Sequence, residues 1–158
     1  MNYINVGIGE FGISKSSEVE LRTFALGSCV AVVIFDPVRQ IGGLAHIALP
    51  DSAVDLPKSK IAPCYFANTG IPKLLEELGK AGATLATNNL VVKIAGGFNT
   101  LNSSIGVRNV EKVKAVLSSL SLCCQAEDTG GNSPRTVYFR PNELTIRIHS
   151  PEGKKWEI

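Results

Sequence analysis

From Val19 the chain alternates: Val19, Leu21 and Thr23 are separated by polar or charged residues before Phe24-Ala25-Leu26, the period of a strand with one buried face. Val30 to Phe35 is β-branched and apolar at both parities, which suits a strand covered on both sides. Asp36-Pro37 then marks a turn, and Ile41 to Leu49 resumes as a strand containing Gly42 and Gly43, so the two runs form a hairpin. Ile71, Leu74, Leu75 and Leu78 fall on one helical face, with Thr69 as N-cap, Pro72 in the first turn and Gly79 or Gly82 as the stop. A second helical stripe, Val110, Val113, Leu117 and Leu120, opens near Asn109. Leu90–Ala95, Leu122–Ala126, Arg135–Arg140 and Leu144–His149 read as further strands, and Pro50 to Pro63 as a long loop. The pattern predicts a mixed α+β domain of about seven strands and two principal helices.

Composition narrows the setting. At 158 residues the chain has the length of one domain, here residues 1–158, and is expected to bury roughly 68 to 70% of its unfolded surface. Hydrophobic residues make up 44% and charged residues 19%, a globular balance. The net charge of +2, without a dense basic cluster, argues against nucleic acid as the main partner. The longest apolar run, Cys29 to Phe35, falls far short of the roughly 20 residues of a membrane span, and the first residues carry no secretory signal pattern. A cytoplasmic location without membrane insertion is therefore expected, with Cys29, Cys64, Cys123 and Cys124 as free thiols.

Most candidate sites have a plain packing explanation. Gly7-Ile8-Gly9-Glu10-Phe11-Gly12 spells the dinucleotide fingerprint, but a polar loop follows it where a helix would have to begin, so no pyrophosphate site is expected. Adjacent Cys123 and Cys124 point to opposite faces of a strand and cannot share a metal as a C-x-x-C pair does. Cys64 lies near a helix start, where a thiol's pKa can be lowered, but has no histidine near it in sequence. With two histidines in the chain and no ligand spacing, no metal or cofactor is expected.

Cys29 stands apart because a glycine turn, Leu26-Gly27-Ser28, precedes it, and His46 lies on the returning strand. A four-residue loop Pro37 to Gln40 pairs Ala31 with His46 and Cys29 with Ala48. Cys29 and His46 then share a face as diagonal neighbours, roughly 7 to 8 Å apart at the backbone. A register one residue off would separate them, and a small buried thiol with a satisfied core histidine fits the same letters.

Several motifs then bear on one family. Leu26-Gly27-Ser28-Cys29-Val30-Ala31-Val32, Asp36-Pro37, Gly43-Leu44-Ala45-His46-Ile47-Ala48-Leu49-Pro50-Asp51, Lys93-Ile94-Ala95-Gly96-Gly97, Ile105-Gly106-Val107-Arg108-Asn109 and Ala126-Glu127-Asp128-Thr129-Gly130-Gly131-Asn132 together resemble the CheD family of bacterial chemotaxis proteins, nearly end to end. The resemblance implies a cytoplasmic protein-glutamine deamidase that converts glutamines on chemoreceptor cytoplasmic helices to glutamates, and that also binds a CheC-type phosphatase. It implies a β-sandwich-like core with helices outside, similar to cytotoxic necrotizing factor type cysteine hydrolases. By motif position the nucleophile falls on Cys29, the base on His46 and a hydroxyl partner on Thr23. Phe98-Asn99-Thr100-Leu101 replaces a segment that often ends in Met-Phe, and Asn68 and Pro72 depart from the pattern around the first long helix.

The chemistry implied is attack by a thiolate formed by His46, an intermediate held by backbone donors shaped by Gly27 and Ser28, loss of ammonia, and hydrolysis of a thioester. Thr23 orients the imidazole by accepting its other N–H. A histidine beside the thiol predicts alkylation of Cys29 well below the free thiol's ~8.5. The competing reading is a non-enzymatic chemotaxis adaptor that stimulates a response-regulator phosphatase; retention of Thr23, Cys29 and His46 together favours the enzyme.

Overall fold

The structure is a computed structural model that describes residues 2–158. Its strands form two five-stranded sheets. In the first, the order is β1 (Asn2–Asn5), β3 (Val19–Leu26), β8 (Arg135–Phe139), β9 (Arg147–His149) and β10 (Lys155–Glu157). In the second it is β2 (Phe11–Ser14), β5 (Ile41–Ile47), β4 (Val30–Asp36), β6 (Val91–Gly96) and β7 (Cys124–Thr129). Three helices, α1 (Leu56–Ile61), α2 (Ala67–Lys80) and α3 (Ile105–Ser119), complete a mixed α+β architecture.

Two apolar layers account for the stacking. Alternate residues of β4, Ala31, Val33 and Phe35, meet Leu21, Leu26, Val137, Phe139 and Ile148 of the facing sheet, and Phe35 and Phe139 bring their ring centroids to 4.9 Å. The other parity of β4, Val30, Val32 and Ile34, packs with Ile71, Leu74 and Leu78 of α2 and with Val113 and Leu117 of α3. Both faces of β4 are covered, which is why its sequence is apolar at every position. The central hairpin pairs Ala31 with His46 and Asp36 with Ile41, the register that the four-residue loop implies. It does not extend to Cys29 opposite Ala48: the ladder ends at Val30 and Ile47, and the Ala48 N–H donates to the Tyr65 carbonyl.

Several boundaries differ from expectation. Among the described residues ten strands are present rather than about seven: β1, β2 and β10 are three- or four-residue segments too short to show a period. The segment Pro50 to Pro63 holds a 3₁₀ turn at Ser52–Val54 and then α1, capped by the Asp55 carboxylate, which accepts from the Lys58 N–H. Helix α2 begins at Ala67, so Thr69 is not its cap; the Thr69 hydroxyl donates to the Pro63 carbonyl, and Pro72 lies in the second turn. Asn68 ties the Ser52 turn to this helix, its Oδ1 accepting from the Ser52 N–H and its Nδ2 donating to Ser52 Oγ. Helix α3 begins at Ile105, so Asn109 sits a full turn inside it and is completely buried.

Candidate active site

The site lies where the glycine turn before β4 meets the end of β5. Thr23, on β3 of the facing sheet, is fully buried, and its Oγ1 stands 2.7 Å from His46 Nδ1. The same hydroxyl donates to the Val6 carbonyl at 2.7 Å. A hydroxyl has one proton, so with that proton given to Val6 the oxygen must accept from the imidazole. His46 is thereby held as the Nδ1–H tautomer, and Nε2 carries the lone pair of the neutral ring. Nε2 is buried and has no hydrogen-bond partner among the described residues.

The backbone at His46 is also held. Its N–H donates to the Glu10 carbonyl and its carbonyl accepts from the Gly9 N–H, so the Gly7–Gly12 motif serves as a turn against β5. Burial pushes the His46 pKa below its ordinary value, against the opposing pull of the Val6 carbonyl and the Glu10 charge. The imidazole is thus neutral at physiological pH, in its base form.

Cys29 is half-buried and packs with the layer between the sheets, the same side of the hairpin that carries Ala31 and, opposite it, His46. Burial pushes its thiol pKa up, where the sequence led us to expect a lowered one. The Cys29 thiol and the His46 imidazole are thus both held toward their neutral forms. Cys64 is completely buried with its pKa pushed up to about 12 by burial, which overrides any helix-start effect. Cys124 is likewise pushed up by burial.

Three carbonyls of the turn are tied from outside it. Gly27 O accepts from the Phe98 N–H at 2.9 Å, Ser28 O from Asn109 Nδ2 at 2.9 Å, and Cys29 O from the Gly97 N–H at 2.8 Å. Gly96 runs so close that an added Cβ would lie 2.2 Å from Cys29 O, and its φ of +116° suits glycine alone. Arg135 donates to the carbonyls of Gly96 and Gly130 and pairs with Asp128, which also accepts from Trp156 Nε1. Gly96, Gly97 and Asn109 fall within the quoted sequence motifs, but the sequence gives none of them, nor Phe98, a part in the catalytic group; Asn109 shows there as a polar residue four before Val113 and eight before Leu117 on an apolar stripe. Among the described residues, no three His, Cys, Asp or Glu side chains gather to hold a metal ion.

Known proteins are similar to this chain over its full length. A family described as CheD chemotactic sensory transduction matches residues 48–150, a range that starts just after His46. The probable chemoreceptor glutamine deamidase CheD of Syntrophotalea carbinolica is 37% identical over 162 residues, covering 100% of both chains. The chemoreceptor glutamine deamidase CheD of Thermotoga maritima is 44% identical over 137 residues, covering 85% of this chain and 83% of its own. That of Desulforamulus reducens, also named as probable, is 41% identical over 158 residues, covering 94% and 92%. The chain belongs to the CheD family.

Proposed function

We propose that this protein is a cytoplasmic, single-domain protein-glutamine deamidase acting on chemoreceptors, with Cys29 as nucleophile, His46 as general base and acid, and Thr23 as the group that orients the imidazole. The names of its relatives support the activity, and the observation that carries the site is the Thr23 hydroxyl, which gives its own proton to Val6 and so leaves His46 Nε2 as a base without a partner. In this reading His46 Nε2 removes the Cys29 proton as the sulfur attacks the glutamine carboxamide carbon. The tetrahedral oxyanion is met by backbone N–H groups of the Gly27–Cys29 turn. His46 returns the proton to the departing nitrogen, ammonia leaves, and a thioester remains. Water, deprotonated by His46, hydrolyses that thioester to glutamate and the free thiol. Each proton taken is given back, so the cycle calls on no cofactor.

The raised thiol and lowered imidazole fit this order of events. A neutral pair keeps the sulfur protonated until a carbonyl is in place, and burial strengthens the later electrostatic contacts. No helix among the described residues is long and apolar enough to cross a membrane. Binding to a CheC-type phosphatase belongs to the same proposal, with the Gly97–Leu101 segment as the surface for that phosphatase or for the receptor helix: Asn99 N–H is held by the Gly131 carbonyl, while Leu101 is fully exposed. A fold similar to cytotoxic necrotizing factor type hydrolases is likewise proposed, on the strength of the layered sheets and the Cys-His placement. Incubation with cytoplasmic receptor fragments, followed by peptide mass spectrometry, tests the activity directly. Conversion of receptor glutamine to glutamate that disappears in Cys29→Ala supports it, and no conversion with folded protein overturns it.

A further inference from the structure

Asn109 is completely buried on α3, and its side-chain amide joins two backbone segments that are far apart in sequence. Nδ2 donates to Ser28 O and to Ala48 O, each at 2.9 Å. Both partners are carbonyls and can only accept, so the amide can be oriented in one way: Nδ2 faces the two backbones and Oδ1 points away. Oδ1 is buried and has no partner among the described residues. A residue serving packing alone would not retain an acceptor in that state, since an unmet buried acceptor costs stability and an apolar side chain on the Val113 and Leu117 stripe would avoid it.

What the amide holds is the peptide between Ser28 and the nucleophile. A trans peptide is planar and its C=O and following N–H point in opposite directions. Fixing Ser28 O therefore fixes the direction of the Cys29 N–H. The neighbouring plane is fixed in the same way, since Gly27 O is held by the Phe98 N–H and this aims the N–H of Ser28. The second bond, to Ala48 O, refers the turn to the residue two beyond His46 on the same stretch of chain. We propose that Asn109 is a positioning residue that aims the Cys29 N–H as the oxyanion donor and keeps that donor in register with His46. This rests on the reading of Cys29 as nucleophile, but not on the identity of the substrate.

Two reactions of Cys29 separate the role from a merely structural one. Acylation by p-nitrophenyl acetate passes through a tetrahedral oxyanion: sulfur adds to the carbonyl, p-nitrophenolate leaves, and a thioester forms. Alkylation by iodoacetamide displaces iodide at carbon and generates no oxyanion. In Asn109→Ala, acylation of Cys29 falls about 10- to 100-fold, the scale set by losing or misaiming an oxyanion donor. The alkylation rate and its pH midpoint stay within about threefold and a few tenths of a pH unit, because a thiol displacement needs no such donor. Val113→Ala, one turn along the same buried face, is the packing control and lowers both reactions to the same small extent. Asn109→Ser, which keeps one donor, lies between Asn109→Ala and wild type, and it carries the test if Asn109→Ala does not fold. Equal loss in acylation and alkylation, unchanged acylation, or failure of both Asn109 variants to fold overturns the proposal. Wild-type protein that shows this split yet converts no receptor glutamine would overturn the deamidase reading and leave Asn109 in its role; conversion that depends on Cys29 without the split would do the reverse.

Discussion

The hairpin of β4 and β5 ends differently at its two tips. At the turn, Asp36 is fully buried and its carboxylate accepts from the backbone N–H groups of Val38, Arg39 and Thr84. Burial alone would raise its pKa, but these hydrogen bonds, with that of Thr84 foremost and Asn89 adding another, hold it at about 2. At the other end His46 Nε2 and Asn109 Oδ1 are buried without partners, and Cys29 carries a thiol made less acidic by its surroundings. Both ends are polar groups inside one apolar frame. One is satisfied and locks the loop; the other keeps bonding capacity unspent at His46 Nε2, as the proposed role of a general base requires. On the proposed reading, a substitution at the Asp36 tip should cost stability, and one at or beside His46 should cost activity.

The largest effect expected is at Cys29. Cys29→Ala abolishes deamidation without lowering the melting temperature materially, whereas Cys64→Ser, Cys123→Ser and Cys124→Ser leave deamidation in place. Kinetics and thermal melts on the four variants check this, and a folded Cys64→Ser protein without activity would break the assignment. Next comes Thr23. Thr23→Val keeps the shape but removes the oxygen that accepts the imidazole N–H, a loss of about 1 to 3 kcal/mol, or roughly a 5- to 150-fold fall in kcat/KM. Thr23→Ser should retain much of the activity. A Val variant as active and as stable as wild type would take Thr23 out of the site.

Asp36→Ala tests the satisfied end. Loss of an acceptor shared by several backbone donors should destabilise by about 2 to 3 kcal/mol, near 4 to 12 °C in melting temperature for a chain of this size. The kcat/KM of the folded fraction should stay within about twofold, since the turn is distant from the nucleophile and shares no partner with it. A large kinetic loss in Asp36→Ala would show the two tips to be coupled.

The two ends should also part company on acidification. Both His46 and Asp36 have folded pKa values below their unfolded ones, so each contributes stability above its unfolded value that is lost as pH falls through the folded value. For His46 that window lies below 6.5, and protonation there also removes the base, so activity declines in it. For Asp36 the window runs from 3.8 down to about 2. Activity should therefore fall at a pH where the Asp36 turn is still intact, as read by kcat/KM beside circular dichroism. Cys29 works in the opposite sense: its raised pKa favours the fold below the ordinary thiol value, and the advantage is lost as pH rises above it.

Much of this frame is legible in the residues themselves. Alternation places β3 at Val19–Leu26, and two apolar parities at Val30 to Phe35 foretell a strand covered on both faces. A four-residue loop is enough to pair Ala31 with His46, because register follows from turn length once the strands are known. The helical stripes locate α2 and α3, yet their first turns are missed, since Phe66 makes no side-chain cap and Thr69 bonds to Pro63 instead. Strand β1 shows no alternation because it is four residues long and exposed throughout, so its adjacent Tyr3 and Ile4 mark no buried face.

What the sequence by itself determined is periodic: which positions face a core and how the hairpin registers. The contacts that select a tautomer and aim a peptide were decided by tertiary structure alone. Thr23 reaches His46 from the opposite sheet, its proton goes to Val6 from a third segment, and Asn109 comes 81 residues after the Ser28 carbonyl it holds. Periodicity reports on the face a residue shows to a core, an average over many neighbours. A hydrogen bond depends on one atom meeting one other, and only the packed sheets and helices bring these together.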